Sequence, residues 1–279
     1  MNHAHADTPL LIGVDFTSRP NRRKPIVLAQ GRVQRGVLRL GGLERFESDA
    51  AFLNGLLAQP SWVGGFDLPF GLPRELVQCL GWPTDWVACI AHFTHLDRPT
   101  IRATFAAFCA ARPAGAKFAH RACDLPAGSS PSMKWVNPPV AYMLHAGLPL
   151  LQASGAHFPA HQAAPMQTPL RVALEAYPGL LARRLIGRRS YKADDRARQT
   201  PERLIARKDI VEGLVRGDSA LGGLRVVLND GQRDALTTDA SGDTLDAALC
   251  LAQAAWAAQR PGWGLPAGVD PLEGWIVGA

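Results

Sequence analysis

Five acids occupy comparable places in distant parts of the chain: Asp15, Asp67, Glu175, Asp243 and Asp246. Asp15 closes the apolar run 10–14, and the small polar pair Thr17 and Ser18 follows closely. Asp67 closes the run 62–66, just ahead of Leu68-Pro69-Phe70-Gly71-Leu72-Pro73. Glu175 stands near the end of the strand-like stretch 170–176, before Tyr177-Pro178-Gly179. Asp243 and Asp246 lie three apart at the start of the stretch 242–258, a spacing that puts both on one helical face. Carboxylates gathered at one place repel unless a cation joins them, and oxygen donors of this kind suit Mg²⁺ or Mn²⁺. Such ions activate water and stabilise the leaving oxygen in phosphodiester cleavage. Each acid also has a plainer reading. An Asp after a strand forms turns, Asp243 can cap its helix, and Glu175 can pair with one of the many nearby arginines. The argument for chemistry is the repetition of one positional rule.

The elements that must position these acids follow from periodicity and from Gly and Pro. Short apolar runs ending on an acid read as buried strands of a sheet covered by helices, and ligands of open α/β sheets bind at the carboxyl ends of such strands. Stretches 26–30 and 37–40, with Gly31 and Gly36 near the turns, predict an antiparallel meander after the first strand. Stretch 48–57 begins on a Ser suited to an N-cap and predicts a helix leading to the strand 62–66. Pro69 and Pro73 stop both strand and helix beyond it. Residues 74–165 hold helical patches at 74–80, 86–93 and 101–110, a Gly, Pro and Ser region at 125–132, and the segment MKWVNPPVAYML at 133–144. This block predicts a helical and loop insertion shaping a pocket over the sheet edge. The chain then returns to a strand at 170–176, a basic helical region at 178–218 broken at Gly187, a weak strand or helix at 222–229, and the clearest helix at 242–258.

The 279 residues, 47% hydrophobic and 19% charged, predict one α/β domain able to bury a sizeable core, and no internal repeats are seen. No apolar run is long enough to span a membrane, and residues 1–9 lack a signal peptide's apolar segment, so no membrane partner and a cytoplasmic location are expected. The cysteines Cys79, Cys89, Cys109, Cys123 and Cys250 show no CxxC spacing, which argues against a disulfide framework or a zinc ribbon. Net charge is +6, and residues 183–208 alone carry ten Lys/Arg against three acids. A second patch, 19–24, is RPNRRK. Clustered positive charge is the footprint of a polyanion, with a solvated helix face or basic loop as the alternative.

A strand ending in Asp, two further strands, a helix, a strand ending in an acid and a late helix with an acidic face together resemble the RNase H-like fold. GDTLDAALCLAQAAW is similar to the catalytic helix of Holliday-junction resolvases within that superfamily. More narrowly, GVDFTSRPNRRKP, GGFDLPFGLP, MKWVNPPV, LEAYPGLLAR, SYK, LDAALC and EGWIVG, in this order over nearly the whole chain, resemble domain-of-unknown-function family 429, described as predicted RNase H-fold nucleases. The resemblance implies a mixed five-stranded sheet in the order 3-2-1-4-5, with the first and fourth strands parallel neighbours. It implies Asp15, Asp67 and Asp246 as the acidic core, Glu175 and Asp243 as auxiliaries, and a metal-dependent nuclease. It also makes Arg22, Arg23, Lys24, Arg188, Arg189 and Lys192 candidate nucleic-acid phosphate contacts. Where RNase H enzymes carry a further Glu on the first helix, this chain offers Asp49, which leaves a two-metal site in question. The resemblance also singles out Lys134, Trp135 and Asn137; Trp135 suits stacking on a base or burial in its Pro-rich loop. His92 and His95, three apart without a paired Cys or acid motif, read as helix surface. Two other functions stay open: nucleotide-dependent phosphoryl transfer, known in the same superfamily, for which no second Gly-rich phosphate loop is found, and non-catalytic nucleic-acid binding. Oligomeric state is not legible.

Overall fold

The computed structural model describes residues 9–218 and 221–279. Eight of the nine amino-terminal residues read above for a leader lie outside them. Strand β1 (Leu11–Asp15) is followed by β2 (Ile26–Gln34) and β3 (Val37–Phe46), then α1 (Asp49–Ala58) and β4 (Trp62–Asp67). Ser48 caps α1 by accepting from the Ala51 amide at 3.2 Å. The meander strands run further than the sequence suggests, across a bulge at Gln30/Gly31. Five helices fill the span between β4 and the next strand: α2 (Arg74–Cys79), α3 (Trp86–His95), α4 (Arg98–Ala110), α5 (Asp124–Ala127) and α6 (Val140–Ala153). Then come β5 (Arg171–Glu175), α7 (Pro178–Ile186), α8 (Pro201–Arg216), β6 (Arg225–Val227), α9 (Asp230–Thr238) and α10 (Asp243–Ala258).

The fold is α/β, with a mixed six-stranded sheet in the order β5-β4-β1-β2-β3-β6. The expected five strands and their order need one correction. A sixth strand, β6, pairs parallel with β3 at the edge, so from that side the order is 6-3-2-1-4-5. Three residues, with only Val226 buried, are too little pattern to declare a strand without its neighbour. β1 lies antiparallel to β2 and parallel to β4, in a register that sets Asp15 beside Asp67.

Two cores sandwich the sheet. One face of β1, with Ile12 and Val14, packs on α1 and the β4–β5 helices through Phe52, Phe93, Phe105 and Leu148. The other face packs on α7, α8 and α10 through Leu181, Ile210, Leu245 and Leu249. Helix α10 is buried almost all round, as expected of a helix apolar on nearly every side. Its approach to the sheet is set by Gly13 and Gly65, register partners on β1 and β4. A Cβ on Gly13 would fall 2.0 Å from the Leu251 amide nitrogen, and one on Gly65 would fall 2.5 Å from the Cys250 carbonyl oxygen. Gly13→Ala is therefore expected to push α10 off the sheet at a cost of about 1–3 kcal/mol or more. Gly41→Ala, whose Cβ would meet nothing nearer than 3.4 Å, serves as the control in urea unfolding. Equal midpoints for the two variants would contradict this packing.

No helix among the described residues is long and apolar enough to cross a membrane.

Candidate active site

The register of β1 and β4 brings two carboxylates to one edge of the sheet, on the face that carries α10. α10 runs antiparallel to β1, with Ala247 and Leu251 over Gly13 and Leu251 reaching Gly31, the partner of Leu11. Its first turn is thus delivered to the end of β1 where Asp15 stands. One oxygen from each of Asp15, Asp67 and Asp246 lies within 4.8 Å of the others. Asp15 and Asp246 are buried and Asp67 is half-buried. The amino end of α10 favours negative charge, which eases the crowding of Asp243 and Asp246 there.

Burial is the main force on these acids. It raises the pKa of Asp15 well above its ordinary value, and the neighbouring Asp246 and Asp243 add to the rise. Asp67 is pushed up to about 7 by burial, against the pull of Lys192 and with a further push from Asp246. Burial also raises Asp246, opposed by Lys192 and by hydrogen bonds from Lys192 and Tyr191. Tyr191 Oη donates to Asp246 Oδ1 at 2.6 Å, and Lys192 Nζ donates to the other carboxylate oxygen. Burial disfavours the Lys192 ammonium, yet the surrounding acids, Asp246 first, hold it charged well above the usual lysine range. A site with three clustered oxygen donors and excess negative charge fits a hard divalent cation better than a soft one.

Asp243 stands outside the triad and faces Lys24, whose Nζ donates to Asp243 Oδ1 at 2.7 Å and to Asp194 Oδ1 at 2.9 Å. An Asn21 side-chain turn, accepting from the amides of Arg23 and Lys24, folds this loop back. Arg22 and Arg23 are exposed on the same turn. Lys24 and Lys192, expected as phosphate contacts, are thus committed to acids.

Glu175 departs further from expectation. It pairs in register with Phe66, not with Asp67, and so points to the opposite face of the sheet. There Arg121 grips it with two bonds, Nη1 to Oε2 at 2.7 Å and Nη2 to Oε1 at 2.6 Å. The Phe70 amide donates to Oε2 at 3.0 Å. Arg121 also binds Asp124 and the Glu273 carbonyl, and Glu273 accepts from the amides of Arg74 and Ala122. The plainer reading of Glu175 as an arginine partner describes its contacts, although the arginine lies 54 positions upstream and outside the basic region. This hub ties the loop after Asp67 to β5 and to the tail, where the Val277 amide donates to the Glu175 carbonyl at 2.9 Å.

Two hollows meet at Asp67. One, about 590 Å³, runs along α7 and is lined by Tyr177, Arg183, Arg188, Arg189, Tyr191 and Lys192, among others. The other, a tight cavity of about 60 Å³, lies under the β4–β5 helices and reaches Arg121, Ser129, Ser130 and Glu175. Arg188 is exposed, and Arg189 donates to Asp209 at 2.6 Å. Lys134 and Trp135 line neither hollow. Trp135 packs at the edge of the core against Phe118, with ring centroids 5.9 Å apart, which is its burial reading.

Sequence reasoning missed Tyr191, Arg183 and Arg121 as contributors. The SYK motif beside Lys192 was a signal for Tyr191. Arg121 carried none, because two of its partners, Glu175 and Glu273, come from distant segments. No family model, no curated protein and no solved structure matches the chain.

Proposed function

We propose that this protein is a metal-dependent phosphodiesterase acting on nucleic acid, with Asp15, Asp67 and Asp246 holding Mg²⁺ or Mn²⁺. The observation that carries the reading is the meeting of three carboxylate oxygens, from two strand ends and one helix start, beside a cleft lined with arginines. A cation there would supply the positive charge that makes a water nucleophilic at neutral pH and offsets charge building on the phosphate. The remaining work falls to the chain's own groups. Tyr191 and Lys192 orient Asp246, and Lys24 holds Asp243 outside the triad. Asp67, whose carboxyl is pushed up to about 7 by burial in the metal-free site, gives up its proton when it takes a cation. Arg188, exposed on the α7 cleft, holds phosphates there, with Arg22 and Arg23 reaching them from the neighbouring turn. Nothing in the surroundings of Glu175 supports a catalytic part for it.

The test is incubation of the purified protein with single-stranded and duplex DNA and RNA in Mn²⁺ or Mg²⁺, beside EDTA controls. Metal-dependent cleavage is expected. Intact substrates under every metal condition would defeat the reading.

The elevated Asp67 pKa makes a pH prediction. Its folded value of about 7 lies above the ordinary 3.8, so protonation of Asp67 favours the metal-free fold below that ordinary value. The contribution fades as pH rises through about 7. A cation competes with that proton and should therefore bind more tightly above this range. The thermal shift given by Mn²⁺ over EDTA is expected to be larger near about pH 8 than near about pH 6. Equal shifts at both would contradict the assignment of Asp67 as a ligand.

A further inference from the structure

The described residues hold a second basic hollow, on the other layer of the sheet from the α7 cleft. Arg19, Arg98, Arg102 and Tyr142 line a concavity of about 550 Å³ with Pro99 and Ala103. Arg98 and Arg102 stand four apart on α4, so both rise from one helix face. Arg19 comes from the loop that leaves Asp15. Arg98 is held in place by one hydrogen bond and one ring contact of its guanidinium. Its Nη2 donates to the Ser18 carbonyl at 2.7 Å, and its plane centre lies 4.9 Å from the Tyr142 ring. The charges are close enough to oppose one another: burial lowers the Arg98 pKa, and Arg19 lowers it further. One carboxylate, Asp49 at the start of α1, faces Arg98, while Asp97 is turned to the Thr100 amide of its own helix. Three guanidinium groups against one acid is an arrangement that gains from an anion, and their planar forks match phosphate oxygens.

The place of this hollow gives it meaning. Ser18 is three residues from Asp15, at most about 11 Å of chain. α4 and α6 belong to the layer on one face of the sheet and α7 to the layer on the other. The triad lies at the strand ends between them. We propose that Arg19, Arg98 and Arg102, with Tyr142, hold the phosphate backbone of a nucleic-acid strand on the α4 side of the triad, so that a strand gripped in the α7 cleft continues past the acids. The proposal rests on nucleic acid being the substrate.

The experiment measures anisotropy of fluorescein-labelled oligothymidylate and oligouridylate in EDTA, across a salt series, with the full chain. The variant is Arg19→Ala/Arg102→Ala, both positions being exposed and thus tolerant of change. The control is Arg35→Gly/Arg39→Ala, which removes equal charge at the opposite end of the sheet. The Arg19/Arg102 variant is expected to bind about tenfold or more weakly, with a salt slope shallower by about 1 to 1.5, while the control stays close to wild type. Equal losses in both variants, no loss in either, or no binding by the wild type would each overturn the site. A strand bound through these arginines but left uncut in Mn²⁺ would support the site and defeat the phosphodiesterase reading alone.

Discussion

Asp15→Asn is expected to remove metal-dependent cleavage, by more than about 100-fold, while leaving the protein folded and no less stable in EDTA. Substitutions one layer outside a metal's ligands already cost about 10–100-fold, and Asp15 would be a ligand itself. The stability expectation follows from the charges around it. Asp15 is buried beside Asp246 and Asp243, and its carboxyl is pushed far towards the neutral form. An amide of the same shape stands in for that neutral form and keeps the packing. The proper readouts are Mn²⁺-dependent hydrolysis and the Mn²⁺-induced thermal shift, with thermal unfolding in EDTA as the fold control. Retained cleavage by a well-folded Asp15→Asn protein would end the assignment. A variant that unfolds in EDTA would instead mark Asp15 as a structural acid.

The largest stability loss is expected on the other face of the sheet, from Arg121→Met. Arg121 is 2% exposed and is the counter-charge of both Glu175 and Asp124. Removing one partner from a buried ion pair costs about 3–5 kcal/mol, because a desolvated charge is left behind. Urea unfolding at neutral pH would read this loss. Its pH dependence is a second check. Glu175 already has a raised pKa from burial, offset by Arg121, so losing Arg121 must raise it further above the ordinary 4.5. A raised carboxylate favours the fold below its ordinary pKa, and that contribution fades as pH rises through the folded value. The deficit of Arg121→Met should therefore shrink at acid pH and grow towards neutrality. Arg121→Met/Glu175→Gln is expected to recover part of it, with Asp124 still unpaired. A neutral-pH loss below about 1 kcal/mol would show that water reaches the hub, contrary to its burial. Metal affinity should change far less than stability, because the hub and the triad lie on opposite faces.

The apolar runs ahead of Asp15 and Asp67 and the helix α10 were legible in the chain by themselves. So were the meander, the Ser48 cap and the helical character of the block between β4 and β5. These features depend on local pattern, which is present wherever the chain goes. α9 also had a legible mark, the reciprocal capping pair of Asn229 and Gln232, which periodicity alone overlooked. The short β6 was marked only as a weak strand or helix at 222–229, and its pairing with β3 makes it a strand.

The acids separate the two kinds of knowledge most clearly. Sequence determined that Asp15, Asp67 and Glu175 sit at strand ends and that Asp246 lies in the first turn of a helix. Only tertiary structure decided which of them meet. Side chains alternate across a strand, so the face an acid points to depends on its register with a neighbour far away in the chain. Asp67 falls opposite Asp15 and joins it, whereas Glu175 falls opposite Phe66 and turns the other way. Gly13 and Gly65, unremarkable in the sequence, let α10 come close enough to add Asp246. The partners of Glu175 and Lys192 were likewise beyond local pattern, because Arg121 and Asp246 reach them only once the layers have packed.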